Sequence, residues 1–156
     1  MIDMLVKLYE INDDKDYLQE IADEEIIIKR AITSEKHIVL NWVNDTFSSG
    51  WESQCAVSFY RDPVSCFIAI KDNKIIGFAC YNATYKGLFG PEGILENYRG
   101  KGIGKALLLS CLQAMKAEGF AYAIIGGAGP TEFYKKICGA EVIEGSNPGI
   151  FKNRLT

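Results

Sequence analysis

The most informative run of this chain is Tyr98-Arg99-Gly100-Lys101-Gly102-Ile103-Gly104-Lys105-Ala106-Leu107-Leu108. Its three glycines and two lysines stand at the start of a strongly apolar predicted helix. The first backbone N–H groups of a helix have no partner within the helix, and they carry a partial positive charge that favours an anion. Glycines let a ligand approach this backbone closely, and lysines add mobile positive charge. The run therefore predicts a phosphate-binding loop at a helix N-terminus.

Two common nucleotide-binding motifs do not fit these letters. The P-loop requires a hydroxyl residue after its lysine, but Ala106 follows Lys105. The dinucleotide motif G-x-G-x-x-G requires a glycine at Lys105 if it starts at Gly100, or at Leu107 if it starts at Gly102. Neither position is a glycine, so both motifs are excluded.

The letters R-x-x-G-x-G at Arg99–Gly104 resemble the pyrophosphate-binding motif of the GNAT superfamily, the N-acetyltransferases that take an acyl group from coenzyme A. The resemblance implies that acetyl-CoA is the acyl-donor cosubstrate and that no metal takes part. It also implies a set of loop residues that contact this cosubstrate: Arg99, Gly100, Lys101, Gly102, Ile103, Gly104 and Lys105.

The segments around the motif agree with this fold. Cys66–Ile70 and Ile75–Cys80 predict two strands joined by a polar hairpin turn. Downstream, apolar residues recur at helical spacing up to Gly119, and Ala121–Ile125 predicts a buried strand parallel to the one before the helix. We therefore predict one α/β domain over residues 1–156, with a mixed, mostly antiparallel twisted sheet of about six to seven strands, helices on both faces and a central βαβ unit.

A second matching segment is Phe133–Ala140, which resembles the F-Y-x-K helix of the superfamily. By resemblance, Tyr134 contacts the cosubstrate and is the candidate general acid that protonates the departing thiolate. Packing is the alternative, since aromatic pairs such as Phe133 and Tyr134 commonly bury on short helices. Gly126–Pro130 stands where many members carry an asparagine, so the pantetheine contact of that asparagine is not expected here.

The strand at about Leu88 to Leu95 is expected to carry the reaction centre. By resemblance, the backbone of Ile94 and Leu95 lies beside the acetyl group in a V-shaped gap between two strands, where an amide N–H stabilises the developing negative charge. Glu92 is the candidate general base, because burial in this apolar strand raises a carboxyl pKa into a useful range. A relayed water is the alternative base, and Glu96 is expected to be solvated.

Composition excludes several other classes of function. The net charge is −3, with no basic run outside the glycine loop, so no nucleic acid partner is expected. No window approaches about 18 uninterrupted apolar residues, so no membrane partner is expected and the protein is predicted to be cytoplasmic. The five cysteines form no C-x-x-C pair and His37 is the only histidine, which predicts no metal site.

The ends of the chain give weaker patterns. A helix from about Tyr17 is expected to include Ile26–Ile28, a second helix starts near Ser34, and Ser48–Gly50 breaks it. The tail from Glu141 to Leu155 predicts a closing hairpin. Acids of the first third could select a cationic amine or form a solvated face, namely Asp45 and Glu52. Aromatic residues there are candidates for the acceptor pocket, with one or two expected to face it: Trp42, Phe47, Trp51, Phe59 and Tyr60.

The function implied by the resemblance is transfer of acetyl from acetyl-CoA to a primary amine of a small molecule or peptide, by direct attack in a ternary complex. The alternative from a different class is a sensor domain that binds acetyl-CoA without turning it over. A protein-modifying acetyltransferase is a third hypothesis. A homodimer is common in the superfamily, although no residue here requires one.

Overall fold

The computed structural model describes residues 1–156. The chain forms seven strands and five α-helices. In chain order they are β1 (Ile2–Lys7), α1 (Asp16–Ala22), β2 (Ile27–Arg30), α2 (Lys36–Thr46), α3 (Ser49–Ser58), β3 (Cys66–Lys71), β4 (Lys74–Tyr81), β5 (Leu88–Ile94), α4 (Ile103–Ala117), β6 (Tyr122–Ala128), α5 (Thr131–Cys138) and β7 (Glu141–Val142).

The seven strands form one sheet in the order β2-β3-β4-β5-β6-β1-β7. Every neighbouring pair is antiparallel except β5 and β6, which run parallel and are connected through α4. This arrangement confirms the predicted mixed, mostly antiparallel sheet and its central βαβ unit. It also places the glycine loop at the end of β5, where the chain leaves the sheet for α4.

The β3–β4 hairpin forms where the sequence predicts it. Its two turn residues, Asp72 and Asn73, have φ values of 51° and 61°. These left-handed conformations are tolerated by short polar side chains, and they match the twist of the flanking strands. The turn fixes the register, so that the buried side chains of β3 and β4 alternate between the two faces of the sheet.

Helices cover both faces of the sheet. The apolar face of α4 lies on one face, with α1 beside it, and its fully buried side chains include Leu107, Leu108 and Met115. On the opposite face, α2 and α3 enclose a smaller apolar cluster with residues of β3 and β4, including Val39, Val43 and Phe78. Burial on both faces explains why the central strands are almost continuously apolar.

The predicted helical extension through Ile26–Ile28 is wrong. Helix α1 ends at Ala22, and Ile27–Arg30 forms the edge strand β2, paired with Phe67–Ile70 of β3. In this strand Ile27 is 59% exposed while the preceding Ile26 is buried. Consecutive β-branched residues favour a strand, and the edge of β3 supplies the hydrogen bonds that an isolated extension of α1 would not.

The predicted break at Ser48–Gly50 is the start of another helix. The Ser48 hydroxyl accepts a hydrogen bond from the Trp51 N–H at 3.1 Å and so caps α3. The chain therefore turns here and continues as a helix over the sheet.

The predicted closing hairpin is also wrong. Strand β7 has only two residues, and Gly149–Phe151 forms a short 3-10 turn instead of a strand. The N-terminal strand β1 lies between β6 and β7 and pairs with both. Because β1 already pairs with the outer edge of β6, the tail cannot pair with that edge.

None of the helices combines the length and the apolar character that a membrane crossing requires.

Candidate functional site

A gap opens between the two parallel strands of the sheet. Strands β5 and β6 pair only at Leu88 with Ile124 and at Phe89 with Ile125, although β5 continues to Ile94 and β6 to Ala128. Beyond Phe89 the two strands separate. The edges of β5 and β6 that face the gap therefore have no strand beside them, which is unusual in the centre of a sheet.

The gap contributes to a cavity of about 860 Å³. Such a volume is within the range of small-molecule and cofactor sites. Residues of β5 and β6 line it together with the start of α3, the start of α5 and the C-terminal tail. The lining includes the candidate base Glu92 and the candidate acid Tyr134, and it also includes Trp51. The fold thus brings together two residues that lie far apart in the sequence.

The glycine loop has the geometry of an anion site. Gly100 and Gly102 have φ values of 80° and 89°, which strongly favour glycine, and Gly102 caps α4 with no side chain to hydrogen-bond the helix end. The first amide of α4 with a helical partner is Ala106, which donates to the Gly102 carbonyl at 3.1 Å. The N–H groups before it are unpaired within the helix, as an anion requires. The Ile103 side chain is buried in the core, so only its backbone can contact a ligand.

Two carboxylates, one on α1 and one in the turn after it, lie against the lysines of the loop. Glu20 pairs with Lys105 at 3.0 Å, and Glu24 pairs with Lys101 at 3.5 Å. An added Cβ on Gly102 would be 3.9 Å from the Glu20 carboxylate. The sequence analysis missed these partners, because nothing in the local pattern of α1 indicates that it packs beside α4. Arg99 is exposed, and its Nε donates to the Ile94 carbonyl at 3.4 Å.

Glu92 has an unusual environment. Its Oε2 is shielded from solvent and has no hydrogen-bond partner, and its Oε1 would be 3.7 Å from a Cβ added to Gly104. The carboxyl group therefore lies beneath the first turn of α4. Burial raises the pKa of Glu92 well above its ordinary value, since no nearby positive charge offsets the cost of desolvating the anion. The predicted burial of this carboxyl is confirmed, and its catalytic role is a separate question.

Tyr134 lies on α5 with its ring packed between two aromatic neighbours. The ring centroids of Phe89 and Phe133 are 6.4 Å and 5.2 Å away, both in edge-on arrangements. Burial raises the pKa of Tyr134, and the nearby Glu92 carboxyl raises it further. The side chain lines the cavity while contributing to the core, so the packing and catalytic hypotheses are compatible with one position.

The backbone amides of Ile94 and Leu95 differ in what they face. The Leu95 N–H donates to the Ile76 carbonyl at 2.9 Å and is therefore not free. Hydrogen-bonded and non-hydrogen-bonded pairs alternate along an antiparallel ladder, and Ile94 is opposite Gly77 in the next pair. The Ile94 N–H consequently points away from β4, toward the gap.

The candidate acceptor residues divide into core and cavity. Trp51 alone of the five aromatic residues lines the cavity, in agreement with the expectation that one or two would. Trp42 and Phe47 pack around Phe78, while Tyr60 is 76% exposed. Neither Asp45 nor Glu52 lines the cavity, as their alternative assignment to a solvated face predicts.

Sequence analysis missed several polar residues that line the cavity: Ser48, Gln54, Thr84 and Arg154. Ser48 and Gln54 come from α3 and its cap, Thr84 from the loop before β5, and Arg154 from the C-terminal tail. No short motif connects these positions. Ser48 gives the one sign in the sequence, since serine is a residue type that caps helices. The predicted break at Ser48–Gly50 gave this serine no function.

Residues 36–140 match the family model described as the acetyltransferase (GNAT) family. No curated protein matches the sequence.

Three solved structures with similar folds each align with 91% of this chain. The first is the GCN5-related glucosamine N-acetyltransferase region of a fungal multi-domain GH3 beta-N-acetylglucosaminidase, with 14% identity, a TM-score of 0.74 and 19% of that chain covered. The second is a GCN5-related N-acetyltransferase from Sphaerobacter thermophilus, with 18% identity, a TM-score of 0.64 and 48% covered. The third is a GCN5-related N-acetyltransferase-like protein from Streptococcus suis 89/1591, with 15% identity, a TM-score of 0.54 and 58% covered. This chain thus spans between a fifth and three fifths of those proteins.

Proposed function

Because the chain belongs to the GNAT acetyltransferase family, we propose that it transfers the acetyl group of acetyl-CoA to a primary amine by direct attack in a ternary complex. One observation carries this proposal. Glu92 and Tyr134 line a single cavity at the gap between β5 and β6, and the α4 N-terminus with its free amides lies beside Glu92. The unpaired amides at the start of α4 are therefore close to one of the two candidate proton-transfer groups that line the cavity.

The residues of the loop fit the proposed cosubstrate. Left-handed Gly100 and Gly102 let the pyrophosphate approach the free N–H groups at the start of α4, and Arg99 is exposed beside them. Lys101 and Lys105 supply positive charge once their pairs with Glu24 and Glu20 rearrange. The acetyl end then reaches the gap, where the Ile94 N–H is the candidate donor to the thioester oxygen.

In the proposed acetyl transfer, residues of this cleft take up and supply the protons that move. The amine nitrogen attacks the thioester carbon, the carbon–sulfur bond breaks, and the thiolate leaves with the bonding electrons. In the proposal, Glu92, directly or through a water, takes the proton lost by the amine, and Tyr134 supplies a proton to the sulfur. The raised pKa keeps Tyr134 protonated before the transfer but also makes it a weaker acid, whereas the raised pKa of Glu92 makes its carboxylate a stronger base.

Replacing Glu92 by Gln tests the base. We expect Glu92→Gln to lower kcat about 10- to 100-fold, with little change in the Kd for acetyl-CoA, because the amide cannot accept the proton. In the wild type, kcat/KM should rise with pH as Glu92 loses its proton, and this rising limb should disappear in the variant. The measurement is a pH–rate profile of both proteins.

The matched control is Glu96→Gln, which removes the exposed neighbouring carboxyl and should leave the profile unchanged. A profile for Glu92→Gln that superimposes on that of the wild type would remove Glu92 from the mechanism and leave a water relay as the route for the proton.

Removing the two carboxylates that pair with the loop lysines should strengthen acetyl-CoA binding. Glu20 and Glu24 compete with the pyrophosphate for Lys105 and Lys101. Each partly exposed pair contributes about 0.2–1 kcal/mol, so Glu20→Gln/Glu24→Gln should lower Kd about 3- to 10-fold at low salt. The gain should vanish at high salt, because screening weakens both the pairs and the pyrophosphate contacts. Calorimetric titration at two ionic strengths measures both effects.

Asp13→Asn is the control for this experiment, since Asp13 pairs with Lys116 at 3.1 Å near the other end of α4. Equal strengthening by the control would show a general charge effect, and no strengthening by the double variant would exclude competition at the loop.

The charges of the cavity bear on the acceptor. Arg154 is the charged side chain on its tail side, and Glu92 is its single carboxylate. We therefore propose an acceptor that carries an anionic or neutral polar substituent in preference to a second positive charge. Arg154→Gln should reduce the ratio of kcat/KM for an amino acid to that for its amide about 5-fold. Kinetics with matched pairs of amino acid and amide measure this ratio, and an unchanged ratio would exclude Arg154 from substrate selection.

A further inference from the structure

Three of the five cysteines, far apart in the sequence, meet inside the protein. Cys55, Cys66 and Cys80 are all fully buried, and their sulfur atoms lie within 4.8 Å of one another. They come from three elements, α3, β3 and β4. The sequence predicted no metal site, because the spacing of the cysteines contains no C-x-x-C pair.

Backbone register explains why the sulfurs meet. Cys66 and Cys80 are directly opposite each other in the β3–β4 ladder. The neighbouring Tyr81 N–H donates to the Ser65 carbonyl at 3.0 Å, which makes the cysteine pair a non-hydrogen-bonded pair, the type with the closest side chains. Helix α3 packs over this face and adds the Cys55 sulfur.

A fourth polar group is beside them. The Ser58 side chain is fully buried, and its Oγ lies 3.8 Å from the Cys80 sulfur. Ser58 follows Cys55 by three positions on α3, so both side chains share one face of the helix. Its hydroxyl donates to the Cys55 carbonyl at 2.6 Å, and its oxygen accepts from the Cys80 thiol, so the oxygen faces the sulfur cluster.

The spacing of the sulfurs suits a shared ion better than a disulfide. Zinc binds thiolate sulfur at about 2.3 Å in tetrahedral geometry, which places two bound sulfurs about 3.8 Å apart. A disulfide requires sulfurs about 2.05 Å apart. Thiolates select soft ions such as zinc, and here three cysteines on separate elements supply the sulfur donors, with the Ser58 hydroxyl beside them.

We propose that Cys55, Cys66 and Cys80, with the Ser58 hydroxyl as the fourth donor, form a buried structural site for a thiophilic divalent ion of the zinc class. Binding releases three thiol protons, because a cysteine coordinates zinc as the thiolate, and the Ser58 hydroxyl binds as a neutral donor. The dication and the three thiolates leave one net negative charge, spread over three polarisable sulfur atoms among Val39, Val43 and Phe78.

The site would join helix α3 to the β3–β4 hairpin. Helix α3 also supplies Trp51 and Gln54 to the cavity. A bound ion would therefore hold this wall of the cavity against the sheet, without contacting any reacting atom. The inference does not depend on the proposed acetyl transfer.

Metal content tests the proposal directly. The full chain is expressed with added zinc, passed over a desalting column and analysed for metal per chain. We expect about one zinc per chain for the wild type and less than a tenth of that for Cys55→Ala. The matched control is Cys111→Ala, because Cys111 is equally buried but outside the cluster and should leave the zinc content unchanged.

A measurement on the wild type alone avoids dependence on variant folding. Zinc-edge X-ray absorption should show three sulfur neighbours at about 2.3 Å and one oxygen neighbour. Cadmium added during refolding should likewise give a thiolate charge-transfer band. Folded wild type without zinc and without this band, a first shell made mainly of nitrogen and oxygen, or equal loss of metal in Cys111→Ala would each overturn the proposal.

Discussion

Replacing Gly102 by Glu is expected to weaken acetyl-CoA binding at least about 100-fold. The residue caps α4 with a φ of 89°, beside the unpaired amides that the proposal assigns to the pyrophosphate. A carboxylate about 4 Å from a phosphate charge costs about 4 kcal/mol at the effective dielectric constant of a protein surface, before screening. Repulsion of this size exceeds the effect of any other loop substitution. Calorimetric titration with acetyl-CoA measures it.

Gly119 provides the matched control for this substitution. It follows α4 at the opposite end, has a φ of 99°, and has no atom within 4 Å of an added Cβ. Gly119→Glu therefore introduces the same charge and similar backbone strain away from the cleft, and its Kd should equal that of the wild type. Equal losses in both variants would mean that strain in α4 explains the result, and unchanged binding in Gly102→Glu would remove the loop from the site.

Replacing Tyr134 by Phe is expected to lower kcat at least about 100-fold while the Kd for acetyl-CoA stays within about twofold. Removal of a general acid typically costs between about 10² and 10⁴ in rate. The phenylalanine ring retains the edge-on packing against Phe89 and Phe133, so the fold and the cavity wall should persist. Steady-state kinetics and titration on the same preparations separate the two quantities.

A second buried tyrosine serves as the comparison. Tyr17 donates a hydrogen bond to Gln113 at 2.6 Å and does not line the cavity. Tyr17→Phe should lose this hydrogen bond and some stability, with kcat unchanged. If Tyr134→Phe retains full kcat, its ring serves packing alone and another group protonates the thiolate.

Local patterns in the sequence are sufficient for the centre of the fold. The β3–β4 hairpin follows from a polar two-residue turn between apolar runs, and α4 follows from helical spacing that starts at a glycine cap and ends near Gly119. The helix forms its backbone hydrogen bonds within itself, and the two strands of the hairpin form theirs with each other. Their local preferences agree with the tertiary structure, so sequence analysis predicts them well.

Elements that depend on distant partners could not be predicted. Ile27–Arg30 is a strand because β3 presents an edge to it, and the tail forms no hairpin because β1 already lies beside β6. Both outcomes depend on how the strands pair in the assembled sheet, which the local sequence does not indicate. The capping of α3 by Ser48 was predictable in principle, but a serine and a glycine in one segment favour a break as readily as a helix start.

The candidate site likewise combines residues that a local motif predicts with residues that only the folded chain brings together. The loop from Arg99 to Lys105 is one continuous motif, and its left-handed glycines are where the letters indicate. Its acidic partners, Glu20 and Glu24, and the cavity residue Arg154 are brought to the site only by the folded chain. The close approach of Cys55, Cys66 and Cys80 likewise results from strand register and helix packing. Their spacing in the sequence does not indicate it.

Amine-dependent release of the coenzyme A thiol tests the central claim most directly. Purified protein is incubated with acetyl-CoA and a broad panel of amines that includes amino acids and their amides, and the acetylated amine is identified by mass spectrometry. The account predicts thiol release that depends on one class of amine, matches the acetylated product in amount, and falls in Tyr134→Phe. Tight acetyl-CoA binding with no turnover for any amine would contradict it and favour a sensor domain.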